Sequence, residues 1–193
     1  MNPITHLLAS WSLAEASALD ERDRAVVAWV GAAPDLDGLG ALGDTACHLL
    51  GWADPAYYGR FHHVVLHGLP AALLFPVLGL AFARRRVRAF LWSLAVVHLH
   101  LVADLLGSRG PTADDIWPIH YLGLFSEAVT VSWSGQWALN AWPNLALTFG
   151  LLVLAFVRAT TVAHSPVSLF SDRAHRAFVA AVRGRWRQIQ RRV

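Results

Sequence analysis

The sequence predicts an all-α fold, a polytopic helical bundle embedded in a membrane, and three observations carry that expectation. Apolar residue types make up 55% of the 193 residues and charged types only 15%, against about a quarter charged in soluble domains. Residues 64–83 and 136–157 hold no formal charge, and residues 87–106 hold only Arg88 and Asp104. Each run is long enough to cross a hydrocarbon core of about 30 Å at roughly 1.5 Å per helical residue. Nine tryptophans fit interfacial belts. About four or five membrane-embedded helices are expected, followed by a basic amphipathic C-terminal helix.

Taken in order, the N-terminus Met1-Asn2-Pro3-Ile4-Thr5-His6 lacks the basic region of a cleaved signal peptide. Thr5 is placed to cap a first helix running to about Leu19, with Glu15 as its charged member. Asp20-Glu21-Arg22-Asp23-Arg24 reads as a polar turn. A second apolar stretch, residues 25–33, stops at Pro34-Asp35-Leu36-Asp37-Gly38. Residues 38–60 are Gly-rich and irregular, with Asp44, His48 and Asp54, and read as a loop or short interfacial helices. Then come the three spans, in which Pro70, Pro76 and Pro143 are tolerable because neighbouring helices can satisfy freed carbonyls. Pro143 is expected to kink the third. Residues 107–135 form a polar, Trp-containing connection. The chain divides into a membrane-embedded metal-site domain, residues 1–160, and a basic amphipathic tail, residues 161–193.

All sixteen basic residues are arginine, and eight of them lie from Arg158 onward. Attraction to anionic lipid headgroups is the simpler account of that tail, and no nucleic-acid partner is expected. Cys47 is the single cysteine, which excludes an intrachain disulfide and a thiolate metal cluster. The arginines also set a topology. Arg84, Arg85, Arg86 and Arg88 mark the turn between the first two spans as cytoplasmic, and two further crossings return the tail to the same side. His6, Asp35, Asp37, His62, His63, His67, His100, Asp104 and His120 then all fall near the outer face.

The chemistry centres on His98-Leu99-His100-Leu101-Val102-Ala103-Asp104. His100 and Asp104 are four residues apart and share one helix face, so they can close on a single ion. Ionisable residues in a membrane segment are costly and point to function. The bland alternative is a buried His–Asp pair clamping two helices. Asp35 and Asp37 are either ligands or ordinary turn residues after Pro34. His62, His63 and His67 are either ligands or interfacial histidines, and His6 either a ligand or a first-turn residue. His98 points away from His100 and reads as structural, while His48, His164 and His175 have no partners by spacing and read as solvated. His120 and Glu127 lie in the outer connection. Histidine and carboxylate donors without thiolate suit zinc, with manganese or iron as alternatives. Seven or more donors exceed one tetrahedral ion, so two ions are possible, an arrangement suited to phosphoester hydrolysis.

The ordered set Thr5-His6, Pro34-Asp35-Leu36-Asp37, His62-His63-x3-His67 and His100-x3-Asp104 resembles the YdjM-like family of predicted membrane-bound metal-dependent hydrolases. Gly107-Ser108-Arg109-Gly110-Pro111, Trp117-Pro118-Ile119 and residues 137–144 are similar to a bacterial branch of it. The family commonly shows His-Arg where this chain has His62-His63. The set is also faintly similar to zinc-dependent phospholipase C and related nucleases. The resemblance implies a multi-pass protein of a bacterial-type inner membrane. It also implies metal-dependent hydrolysis, of a phosphoester in a lipid or another membrane-proximal substrate. Asp35, Asp37, His62, His67, His100 and Asp104 would be ligands to a divalent metal, with His6 an additional one. One aspartate, Asp35 or Asp37, would bridge ions or act as general base. The reading from another class is a non-catalytic membrane protein with a structural metal site or a metal-handling or scaffold role.

Overall fold

The structure, a computed structural model, describes residues 1–191 apart from Asp54, His63 and the side chain of Leu124. His63 and Asp54 therefore lie outside the described residues. Eight α-helices are described: α1 Pro3–Ala16, α2 Glu21–Ala32, α3 Gly40–Leu49, α4 Tyr57–Phe61, α5 Leu69–Gly79, α6 Arg86–Gly107, α7 Trp142–Thr161 and α8 Asp172–Gln190. A two-residue hairpin, β1 Ile119–His120 and β2 Thr130–Val131, sits in the connection from α6 to α7. The fold is an all-helical membrane bundle. Three helical runs are long and apolar enough to cross a membrane: Glu21–Leu49, Arg86–Gly107 and Trp142–Thr161.

Local chemistry explains where the helices begin. Asn2, rather than Thr5, caps α1: its side chain accepts from Thr5 N at 2.9 Å, and Pro3 sits at the first helical position. Thr5 is freed for a 2.5 Å hydroxyl contact with Thr148 of α7. Asp20 caps α2 through Asp23 N at 3.0 Å, so the acidic–basic cluster predicted as a turn is the first turn of a helix. α2 gives way to a 3-10 helix, Ala33–Leu39, with Pro34 in its first turn.

The span predicted over 64–83 contracts to the 11 residues of α5. Gly68 is extended and Pro70 occupies the first turn, which delays helix entry. Residues 38–60 hold two short helices, and α3 buries none of its side chains. Pro143 starts α7 rather than kinking it. The tail forms α8 after a 3-10 turn, Pro166–Leu169, and Arg183 donates to Thr160 O at 2.9 Å and Thr161 O at 2.7 Å, closing the end of α7.

α1, α2 and α6 form the packed centre, with α5 against α2 and α6 and α7 against α1. Gly31 permits this approach, because a Cβ there would collide with Ser10 of α1 and press on Val96 of α6. The buried apolar groups fall in three clusters: Ala14, Leu19, Val27 and Val96; Val30, Ala72 and Val97; and the bulky Trp11 with Ala28 and Ala155. Leu73, Val77, Leu91, Leu99, Val102, Leu145, Phe149 and Leu152 face outward. Buried positions include Thr5, His6, Ser10, Ser93, His100, Asp104 and Asn144. Apolar outside and polar within is the arrangement a lipid solvent favours.

The two ends of the bundle differ in charge. At one end Glu15 meets Arg24 at 3.2 Å, Arg158 at 2.8 Å and His164 at 2.7 Å, so His164 is paired rather than solvated. His175 likewise has a partner, Ser165 Oγ at 2.9 Å, whereas His48 is exposed. Nearby, the buried Asp23 carboxylate accepts Arg84 N at 2.7 Å and Arg85 N at 2.9 Å, anchoring the α5–α6 turn to α2. Asp23→Ala strands both amides and is expected to lower stability by about 2 kcal/mol or more. Asp23→Asn, which keeps one acceptor oxygen, should lose less; thermal unfolding in detergent measures both.

Candidate metal centre

At the opposite end, four stretches far apart in sequence converge. His6 comes from the first turns of α1, Asp35 and Asp37 from the 3-10 helix after α2, His62 and His67 from the segment before α5, and His100 and Asp104 from α6. Donor atoms of His6, His100 and Asp104 lie within 4.8 Å of one another, as do those of Asp35, His67 and His100, and those of Asp37, His62 and His67. Shared members link the three groups, so the structure brings all seven residues into one cluster.

Asp104 is its hub, 1% exposed. Its Oδ1 faces His6 Nε2 at 3.0 Å, accepts from Ser108 Oγ at 2.7 Å and contacts the amino group of Met1. Its Oδ2 lies 3.1 Å from His100 Nε2 and 3.3 Å from His67 Nε2. The His67 and His100 Nε2 atoms are 3.2 Å apart, and the His6 ring stacks on His100 with centroids 3.6 Å apart.

The outer hydrogen bonds fix the rings. His100 Nδ1 donates to Gly31 O at 2.8 Å, because a carbonyl can only accept. His67 Nδ1 lies 2.9 Å from Asp37 Oδ2 and His62 Nδ1 lies 2.7 Å from Asp37 Oδ1, both donating to a carboxylate, which also accepts Leu66 N at 3.2 Å. In the Nδ1–H tautomer that these bonds select, Nε2 of His67 and Nε2 of His100 are the acceptor atoms, facing each other and Asp104 Oδ2. Three acceptors then point at one small volume. The second oxygens of Asp35 and Asp104, both shielded, have no hydrogen-bond partner. Asp35 Oδ1 stands 3.8 Å from His100 Nε2.

His98 turns elsewhere, with Nδ1 against Leu94 O at 2.8 Å and Nε2 against Tyr121 Oη at 3.0 Å. His120 faces Thr130 Oγ1 at 3.4 Å in the hairpin, and Glu127 is exposed; neither joins the cluster. Sequence reasoning missed Ser108, one turn beyond Asp104, and two amides that brace the end of α6. Gln136 Nε2 donates to Asp104 O at 3.0 Å, and Asn144 Nδ2 donates to Gly107 O at 2.8 Å. The i,i+4 spacing of Asp104 and Ser108 is the one signal that pointed to any of them.

A cavity of about 320 Å3 opens beside the cluster, with Asp35, His62, Tyr58 and Ser108 on its wall and Leu39, Leu42 and Leu139 around them. Tyr58 and Trp117 bracket the His62 ring, at centroid distances of 4.5 and 5.7 Å. Burial, and after it the charges of Asp35, Asp37 and Asp104, push the Tyr58 phenol above its ordinary pKa. The pocket is electronegative.

The two outer aspartates should behave differently without added metal. Asp37→Ala strands the donors of His62, His67 and Leu66 and is expected to cost roughly 3 kcal/mol. Asp35→Ala removes an anion that accepts no bond at Oδ2 and should shift stability by less than about 1 kcal/mol. Chelator-treated variants compared by thermal unfolding test this; equal losses would show that the two carboxylates are held alike.

Comparison with known proteins adds one finding. No curated protein and no solved structure matches the chain. A family profile described as YdjM inner membrane protein does match, over residues 1–170, further into the C-terminal region than the sequence motifs reached. With most of its length covered, including every residue of the cluster, the chain belongs to the YdjM inner membrane protein family.

Proposed function

We propose that this chain is a membrane-embedded, metal-dependent hydrolase acting on phosphoesters. One observation carries the reading: His67 Nε2, His100 Nε2 and Asp104 Oδ2 converge within 3.3 Å of one another. Two imidazole nitrogens and a carboxylate oxygen at this spacing match the donor set of a divalent cation. Nitrogen and oxygen donors without thiolate favour zinc, with manganese or iron also compatible. His6, His67, His100, Asp104 and Asp35 would hold the metal, and the overlapping donor groups leave room for two ions. Asp37 would support this set from behind by orienting His67 and His62, the role carboxylates take behind metal-bound histidines.

A divalent cation held there supplies Lewis acidity toward water and toward a phosphoester oxygen. Asp35 lines the cavity and its Oδ1 stands 3.8 Å from His100 Nε2, so its carboxylate is placed to take a proton from an attacking water. His62, steadied by Asp37, Tyr58 and Trp117, positions a substrate group in the cavity. The family description gives a location and not a reaction, so the hydrolytic step rests on this donor geometry. The second reading, a structural site, is favoured by burial: His6, His67, His100 and Asp104 are at most 2% exposed. The cavity at Asp35 and His62 weighs toward catalysis.

The arginine end would face the cytoplasm and the cluster the outer side, with α8 lying on anionic lipid. A cysteine at Ser134 in a Cys47→Ser background should be labelled by an impermeant reagent from outside intact cells. Labelling only after permeabilisation reverses the orientation.

His100→Ala and Asp104→Asn should each lose bound zinc, read by elemental analysis of the purified chain, and abolish hydrolysis of bis(p-nitrophenyl) phosphate. Asp104→Asn keeps the size of the side chain and removes the anion that offsets the ion's charge. His98→Ala, in the same helix, should retain zinc. If Asp104→Asn keeps its metal while His98→Ala loses it, the pair on α6 is a helix clamp and the metal reading fails. Zinc retained by the wild type with no turnover of phosphodiesters or phospholipids favours the structural site.

A further inference from the structure

Five residues after Asp104, Arg109 has no ion pair among the described residues. Arg109 is half-buried, and its Nε is shielded from solvent without a hydrogen-bond partner. The arginine ion pairs among the described residues belong to Arg24 and Arg158, both with Glu15 at the far end. A guanidinium that is partly withdrawn from water with no anion beside it gains from an anionic ligand.

Its position is rigid. Arg109 N donates to Trp137 O at 3.2 Å and Arg109 O accepts from Leu139 N at 3.0 Å. Just before it, Gly107 lies so close to Trp137 and Asn144 that a Cβ would collide with both. Arg109 lines a cavity of about 330 Å3 together with Gly110, Pro111 and Asn140. This cavity shares Ser108, Trp117 and Leu139 with the one that reaches Asp35 and His62. Ser108, the adjoining residue, touches Asp104 itself. Arg109 thus directly follows a residue that touches the cluster, and the cavity it lines shares a wall with the one that reaches Asp35 and His62.

We infer that Arg109 is the anion-binding residue of this site and that it takes the phosphate group of the substrate. The inference rests on the hydrolase reading and narrows it to charged phosphoesters, excluding neutral carboxylic esters. The physical need is plain: Asp35, Asp37 and Asp104 repel an incoming phosphate, and a planar guanidinium offers it paired N–H donors. The same chemistry serves a lipid headgroup or a soluble phosphoester.

The test is calorimetric titration of the zinc-loaded full chain, in detergent, with inorganic phosphate and separately with dihexanoyl phosphatidic acid. Zinc content is read in parallel. Arg109→Gln should weaken phosphate binding at least tenfold with zinc content unchanged, and Arg109→Lys should recover part of the loss. Tighter binding of the short lipid than of phosphate assigns a lipid source, and equal binding a soluble one. Phosphate binding that Arg109→Gln leaves intact overturns the inference, as does a wild type that binds neither probe. A wild type without zinc that still binds phosphate through Arg109 sustains the clamp and removes only the metal reading.

Discussion

The bundle is built around a carboxylate taken out of water. Asp104 is buried in a helix otherwise suited to lipid, and an isolated anion there would cost several kcal/mol. The surrounding elements compensate together. α1 brings His6, the segment before α5 brings His67, and α6 itself contributes His100 and Ser108. Each contact demands that a particular helix end arrive at one point. The hydrophobic effect does not select such a meeting within lipid, where all apolar faces are alike. Polar groups supply the specificity, and small residues such as Gly31 and Ala72 let the backbones come close enough to use it.

The far end follows the same rule, again around buried carboxylates. Glu15 gathers Arg24, Arg158 and His164 from three other parts of the chain, and Asp23 secures the α5–α6 turn through backbone amides. The helices are thus tied at both ends, with an apolar core of alanine, valine, leucine and Trp11 between. A bundle tied this way resists sliding of one helix past another, since any register shift breaks charged contacts at both ends.

How legible this was varies with the range of the interaction. α6 runs Arg86–Gly107 where the sequence indicated 87–106, because its apolar run is long and free of proline. The i,i+4 relation of His100 and Asp104 was equally local, and so was the turn carrying Asp35 and Asp37. Residues 64–83 misled because hydropathy cannot see that Gly68 is extended. Residues 136–141 misled because Gln136 looks like any uncharged residue until its amide is found bridging α6 and Trp117. The partner of His164 escaped for the same reason: Glu15 is far away in sequence, and spacing carries no trace of it. His62 and His67 could be suspected as a pair, but only the fold shows one carboxylate, Asp37, holding both rings.

The order of the cluster residues along the chain bears on how the protein is made. His6, Asp35, Asp37, His62, His67, His100 and Asp104 all precede the polar connection, whereas Gln136 and Asn144, which brace the end of α6, come after it. During synthesis the cluster's residues are all in place before the last large apolar helix has emerged. α7 then arrives to secure a centre whose components are already present, through Asn144 at Gly107 and Thr148 at Thr5. For an apolar chain entering a bilayer segment by segment, this gives the buried charges their partners early, while the final helix acts as the clasp.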